Sequence, residues 1–190
     1  MTFIVTIFSF LGAFLTKVFK EKYSLYIAIL ITFLDFILIL FLPGNLKANF
    51  EFLGISFLYD DLSFLFATTS TFVALLIFVY SLGYFREEKE KSFFSFWTLI
   101  FLGSMLGVVF SDNLISLYFF WEIAGLCSYR LIGTYREKEH LLKADKAFMI
   151  TSGGAGVMFL SFVFIYLFSG TFSLSKMVGF SVPWFVLSYL

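Results

Sequence analysis

Residues 113–133 read NLISLYFFWEIAGLCSYRLIG, a nearly unbroken apolar run with one carboxylate, Glu122, close to its middle. At a helical rise of about 1.5 Å per residue, Glu122 lies roughly 13 Å in from Asn113. The hydrocarbon core of a bilayer is about 30 Å thick, so a spanning helix here carries its carboxyl near the midplane. An acid at that depth costs several kcal/mol unless it is protonated, hydrated or paired, which makes Glu122 the first candidate for function.

The rest of the chain agrees with a membrane setting. Of 190 residues, 61% are hydrophobic and 14% charged, with 31 Phe, whereas soluble domains run at about 45–50% apolar and about 25% charged. Thirteen basic and thirteen acidic residues cancel, so no net charge points to nucleic acid. The single Cys127 cannot form an intrachain disulfide. The N-terminus lacks the charged n-region and small-residue cleavage site of a signal peptide and reads as a first transmembrane helix that stays.

Apolar runs over 2–19, 23–42, 62–84, 92–110, 113–133 and 143–168 predict about six spans in an all-α, polytopic membrane domain covering 1–190. The tail 169–190 starts a seventh. Pro43-Gly44 stops the second run, and the more polar stretch 45–61 is expected to form a hairpin or lie in the interface. Arg86 to Lys91 reads as a solvated loop, and Thr134 to Leu142 as a charged loop holding the only histidine, His140. His140 has no companion ligands, so a metal site is not expected.

Basic residues orient the chain. Eleven Lys and Arg flank the odd-to-even connections, at Lys17, Lys20, Lys22, Arg86, Lys89, Lys91, Arg130, Arg136, Lys138, Lys143 and Lys146, against Lys47 and Lys176 on the other side. The positive-inside rule then puts those connections in the cytoplasm of a multi-pass protein of the inner (plasma) membrane, with the N-terminus outside.

Two readings of Glu122 stand side by side. It is a carboxyl held neutral for packing, or a proton site that loads and unloads. Gly125 and Ser128 would let a partner helix come close. Asp35 is the second buried acid, about 18 Å into its span by helical rise, with packing and function equally open to it. Asp145 and Lys146 open the sixth span. Adjacent helical residues point about 100° apart and do not pair on one face. Lys146 suits a snorkelling anchor or the cytoplasmic mouth of a proton path. Arg130, near the end of the fifth span, suits the negative helix C-terminus and a structural role, though its charge keeps it among the ion-path candidates. Gly153, Gly154, Ala155 and Gly156 form a small-residue cluster fit for close helix packing, not a phosphate loop.

From Trp121-Glu122 through Gly125, Ser128-Tyr129 and Gly133, the chain resembles the antiporter-like subunits of respiratory complex I. The closest type is the chain-5 subunit, shared with the large subunit of Mrp-type sodium/proton antiporters and with membrane-bound hydrogenase relatives. The resemblance extends back through Tyr59-Asp-Asp61-Leu-Ser63 and Ser111-Asp112-Asn113, and forward through Lys146-Ala-Phe148 and Thr151 to Gly170-Thr171-Phe-Ser-Leu174. It implies the N-terminal part of that subunit fold and proton or Na+ translocation without a cofactor. In such subunits the glutamate matching Glu122 pairs with a lysine on a broken seventh helix, and Lys146 matches a lysine often found at the start of span six. It also implies partners, namely other membrane subunits of a complex I-like, hydrogenase-like or Mrp-type assembly, with lipid around them.

Three departures qualify the resemblance. Thr151-Ser152-Gly153-Gly154-Ala155 stands where chain-5 subunits read Thr-Arg-x-Gly-Asp, and Arg130 replaces an aliphatic residue. Family members also continue for many more spans, so either another polypeptide supplies them or the chain seals or scaffolds a complex. A structural subunit without its own ion path is therefore the alternative reading. An independent transporter is disfavoured because no inverted repeat is visible. An enzyme acting alone is disfavoured because there is no nucleophile–base pair or metal cluster.

Overall fold

The computed structural model describes residues 2–19, 21–41, 56–85, 88–134 and 138–177. Six α-helices run in alternating directions: α1 (Thr2–Val18), α2 (Ser24–Leu40), α3 (Asp61–Tyr84), α4 (Glu88–Phe110), α5 (Leu114–Ile132) and α6 (Lys138–Ser169). A 3-10 turn, Glu21–Tyr23, joins α1 to α2. Four stretches, Glu21–Leu40, Asp61–Tyr84, Lys89–Phe110 and Leu141–Ser169, are long and apolar enough to cross a membrane, and Ile4–Val18 is a shorter apolar helix. The fold is the all-helical polytopic membrane arrangement expected. Helix α5, with Glu122 and Arg130 diluting its apolar run, is not among those four.

Capping residues set the helix ends. Asp60 starts α3 by accepting the Ser63 N–H at 2.7 Å, and Asn113 starts α5 by accepting the Ile115 N–H at 2.8 Å. Short polar side chains at this position satisfy amide groups that have no intrahelical partner. After α6, Gly170 turns left-handed at φ 68° and returns its N–H to Tyr166 at 2.7 Å, a helix stop that glycine adopts without a Cβ clash.

Two expectations about loops are corrected. Residues 88–91 form the first turn of α4, and α6 begins at Lys138, so His140 is helical. Lys, Glu and Leu are good helix formers, and no Gly or Pro interrupts either stretch; charge concealed helices that hydropathy alone ends too early. Of the interfacial stretch, residues 42–55 lie outside the described residues, as does the suggested seventh span from 178 onward. Residues 56–60 are extended, and Phe57 forms an antiparallel bridge with Ser111.

Helix α4 is the central element, touching α1, α2, α3 and α5, whereas α6 packs on α5 alone among the described elements. One core cluster gathers Val5, Ile39, Phe57, Tyr59, Leu106, Phe110 and Phe120 at the end away from the basic loops. A second gathers Ala13, Leu25, Ala28, Phe78 and Leu99 at the other end. Packing is tight where glycine allows it. A methyl group on Gly107 would lie 2.5 Å from the Phe120 ring, so α5 approaches the backbone of α4 at this point.

Candidate functional site

Glu122 is half-buried on α5, with Tyr118 one turn earlier on the same helix. Tyr118, Glu122, Gly125 and Tyr129 are spaced 4, 3 and 4 residues apart, which places them on one helix face. That face meets α6 through two ring pairs: Tyr118 with Phe159 at 5.1 Å and Tyr129 with Phe148 at 5.2 Å between centroids. Between the rings, α6 offers Ser152 and Ala155 at matching spacing. The α5/α6 seam is thus closed by aromatics at both ends and lined by small residues around one carboxyl.

Among the described residues no helix makes the close approach expected at these glycines. Methyl groups added at Gly125, Gly153, Gly154 or Gly156 would meet nothing within 4 Å. Gly153, Gly154 and Gly156 lie on the exposed side of α6, while Ala155 between them is buried. A cavity of about 160 Å3 opens beside Gly125, bordered by Phe101, Met105, Trp121, Ser128 and Thr151.

Lys146 and Asp145 are both exposed on α6. Through the Tyr129–Phe148 contact, Lys146 falls about nine residues of helical rise from Glu122, roughly 13 Å toward the basic-loop end. The structure therefore does not bring Lys146 and Glu122 together as a pair. Arg130 projects onto α4, with its guanidinium carbon 5.2 Å from the Trp97 ring centroid and 5.5 Å from that of Phe93. Cation–π contacts of this kind contribute about 0.5–1 kcal/mol at exposed sites. Asp35 is 0% exposed, and its Oδ2 accepts the Ser9 hydroxyl at 2.6 Å. Among the described residues no cluster of three or more His, Cys, Asp or Glu could hold a metal ion.

Asp112 is a structural centre that did not stand out as a site in the sequence. It is 2% exposed, and its carboxylate accepts the Ser175 N–H at 2.9 Å, the Ser175 hydroxyl at 2.7 Å and the Ser173 hydroxyl at 3.1 Å. Its backbone N–H donates to Ser56 O, and its carbonyl accepts from Leu174 N–H. Three stretches far apart in sequence, around 56–58, 111–114 and 172–175, are tied together at one end of the bundle. The only local signal for this role is a lone acid in the turn between two apolar runs.

Two family profiles match the chain. One, described as "NADH-Ubiquinone oxidoreductase (complex I), chain 5 N-terminus", covers residues 45–95. The other, described as "NADH:quinone oxidoreductase/Mrp antiporter, TM", covers residues 111–188. An Na(+)/H(+) antiporter subunit of Alkalihalophilus pseudofirmus is 40% identical over 130 residues, 66% of this chain and 16% of that protein. NAD(P)H-quinone oxidoreductase chain 5 of a Picosynechococcus species is 36% identical over 126 residues, 66% of this chain and 19% of that protein. The chain therefore spans less than a fifth of the length of these curated relatives. A chain of the Mrp complex from a Dietzia species shares the fold, with a TM-score of 0.88, 20% identity, and coverage of 99% of this chain and 22% of that one. Matches to both profiles, in order and over most of the sequence, show that the chain belongs to the antiporter-like membrane subunits common to NADH:quinone oxidoreductase and the Mrp antiporter.

Proposed function

We propose that this protein is a membrane subunit of an energy-converting oxidoreductase or multisubunit cation/proton antiporter, and that Glu122 carries protons, or exchanges them against Na+, within it. The observation that carries the reading is the half-buried Glu122 carboxylate, set among small residues between two aromatic pairs of the α5/α6 seam. A carboxyl that is only half-buried can bind and release a proton without rearranging a packed core. Tyr118 contributes a hydroxyl that both donates and accepts.

Lys146 is the residue through which protons reach this seam from the cytoplasm. Its exposure near the basic-loop end and its separation from Glu122 favour a role at the mouth of the path over one as partner. The excess of basic residues on that side supports a cytoplasmic placement, with the N-terminus outside. Arg130 has no part in the path, because it is engaged by the α4 rings.

Partners follow from the shape of the bundle. Helix α6 packs on α5 alone among the described elements and exposes Met149, Ile150, Leu160, Phe164 and Leu167, an apolar surface suited to other membrane subunits or lipid. Gentle isolation from the native membrane tests this. Recovery with membrane subunits of a respiratory or antiporter assembly is the expected result, and recovery as a free single protein contradicts it.

A further inference from the structure

The seam around Glu122 leaves one buried acid unused. Asp35 lies on α2, about 16 Å from Ser24 by helical rise, while Glu122 lies about 15 Å from Ile132. Both counts start from the basic-loop end, so the two carboxyls stand at similar depth. Helix α4, which touches α1, α2 and α5, separates them.

We propose that Asp35 is a second proton-binding site, on the far side of α4 from Glu122, reached from the basic-loop end through buried hydroxyl groups. Its side chain is 0% exposed, with Oδ2 accepting the Ser9 hydroxyl and Oδ1 buried without a partner among the described residues. The packing around it is closed. A methyl group on Gly103 of α4 would lie 3.2 Å from Ser9, and one on Gly12 of α1 would lie 2.6 Å from Ile31.

No countercharge stands at this level among the described residues. The elements packed on α2 are α1, α3, α4 and the 3-10 turn. Their described charged side chains are Lys17, Glu21, Lys22, Asp61, Lys89, Glu90 and Lys91, all at helix ends, and the tyrosines Tyr23, Tyr26, Tyr80 and Tyr84 point outward. An ionised carboxylate with a free oxygen in such surroundings costs several kcal/mol, so the neutral acid is the resting form.

Between this acid and the basic-loop end, buried hydroxyls stand among the apolar side chains of the second core cluster. Thr16, Ser24, Ser95 and Thr32 are each 0% exposed, and Thr98 is 7% exposed. With α4 placed by the contact of Gly103 with Ser9, they stand at heights of about 3, 0, 2, 12 and 6 Å from that end, below Ser9 at about 14 Å. Thr16, Ser24, Ser95 and Thr32 each donate to a carbonyl of the preceding turn. Each oxygen keeps lone pairs able to accept, and Thr98 Oγ1 has no partner among the described residues. A hydroxyl can take a proton on one side while giving one up on the other, so the series can pass a proton to the Asp35 carboxylate and return it.

Infrared difference spectroscopy of the full chain in native membranes tests the site. Wild type minus Asp35→Asn should show a carboxylic-acid C=O band that moves on transfer to D2O. A difference made only of carboxylate bands overturns the proposal. If the variant does not fold, 13C labelling of the aspartate side-chain carboxyls in wild type serves instead. The chain has five aspartates, and absence of any label-shifted acid band at neutral pH is the contradicting result. The double variant Ser9→Ala, Thr32→Val should keep the acid band and delay its D2O shift, whereas unchanged exchange overturns the hydroxyl route. Glu122→Gln should leave the Asp35 band in place, so this test is separate from that of the Glu122 role.

Discussion

The Asp112 carboxylate accepts the Ser175 hydroxyl at 2.7 Å across a sequence separation of 63 residues. This bond, with its neighbours to Ser173 and to the Ser175 N–H, joins the chain leaving α6 to the turn between α4 and α5. Helix α6 otherwise rests on α5 alone among the described elements. Asp112 therefore decides how firmly the α5/α6 seam is closed at this end.

Removing that carboxylate should be costly. Asp112→Ala leaves a part-buried N–H and two hydroxyls without their charged acceptor, and hydrogen bonds to charged groups contribute about 1.5–3 kcal/mol each. A loss of about 3 kcal/mol is expected, against about 1 kcal/mol for Ser175→Ala. Thermal unfolding in detergent, with limited proteolysis near residues 170–176, measures both.

Gly107 and Gly125 should respond in opposite ways to the same substitution. Gly107→Ala drives a methyl group into the Phe120 ring, and such overpacking costs about 1–3 kcal/mol. Gly125→Ala enters open space and should be neutral or stabilising by up to about 1 kcal/mol, because alanine is the better helix former. Comparing the two melting temperatures checks the difference.

Arg130→Gln should lower stability by about 0.5–1 kcal/mol through loss of the contacts with Phe93 and Trp97, and Arg130→Lys should retain part of it. Ion transport by the assembled complex should be kept in both. A transport defect without loss of stability would return Arg130 to the ion path.

Asp60 gives a pH-dependent term with a definite sign. The Ser63 backbone N–H, first, and its hydroxyl hold the Asp60 carboxyl below its ordinary pKa of 3.8. A group lowered on folding contributes stability that is present above its unfolded pKa and is lost as pH falls through the folded value. Asp60→Asn should keep the α3 cap yet lose this acid-side dependence, while Asp60→Ala should lose about 1 kcal/mol at neutral pH. Melting curves across the acid range check both.

Much of this architecture was legible because hydrophobic runs and basic residues obey the bilayer. The spans, the central position of Glu122 in α5, and the resemblance carried by Trp121-Glu122 and Ser111-Asp112-Asn113 all come from local patterns. Contacts between distant segments do not. Nothing near Asp112 names Ser173 or Ser175, and nothing near Asp35 names Ser9, since these pairs are set by helix packing. The seam is set in the same way: Ala155 is buried where α6 packs on α5, while Gly153 is exposed, a difference no local pattern marks. Charge hid the first turns of α4 and α6 in what read as loops.

The most direct measurement is proton-coupled transport by the assembled complex carrying Glu122→Gln, with assembly verified in the same membranes. Glutamine keeps the size and hydrogen-bonding capacity of the side chain and removes the titrating proton. Loss of coupled transport with assembly intact, partly restored in Glu122→Asp, is the predicted result. Near-normal transport by an assembled Glu122→Gln complex would contradict the account and leave Glu122 a neutral packing residue.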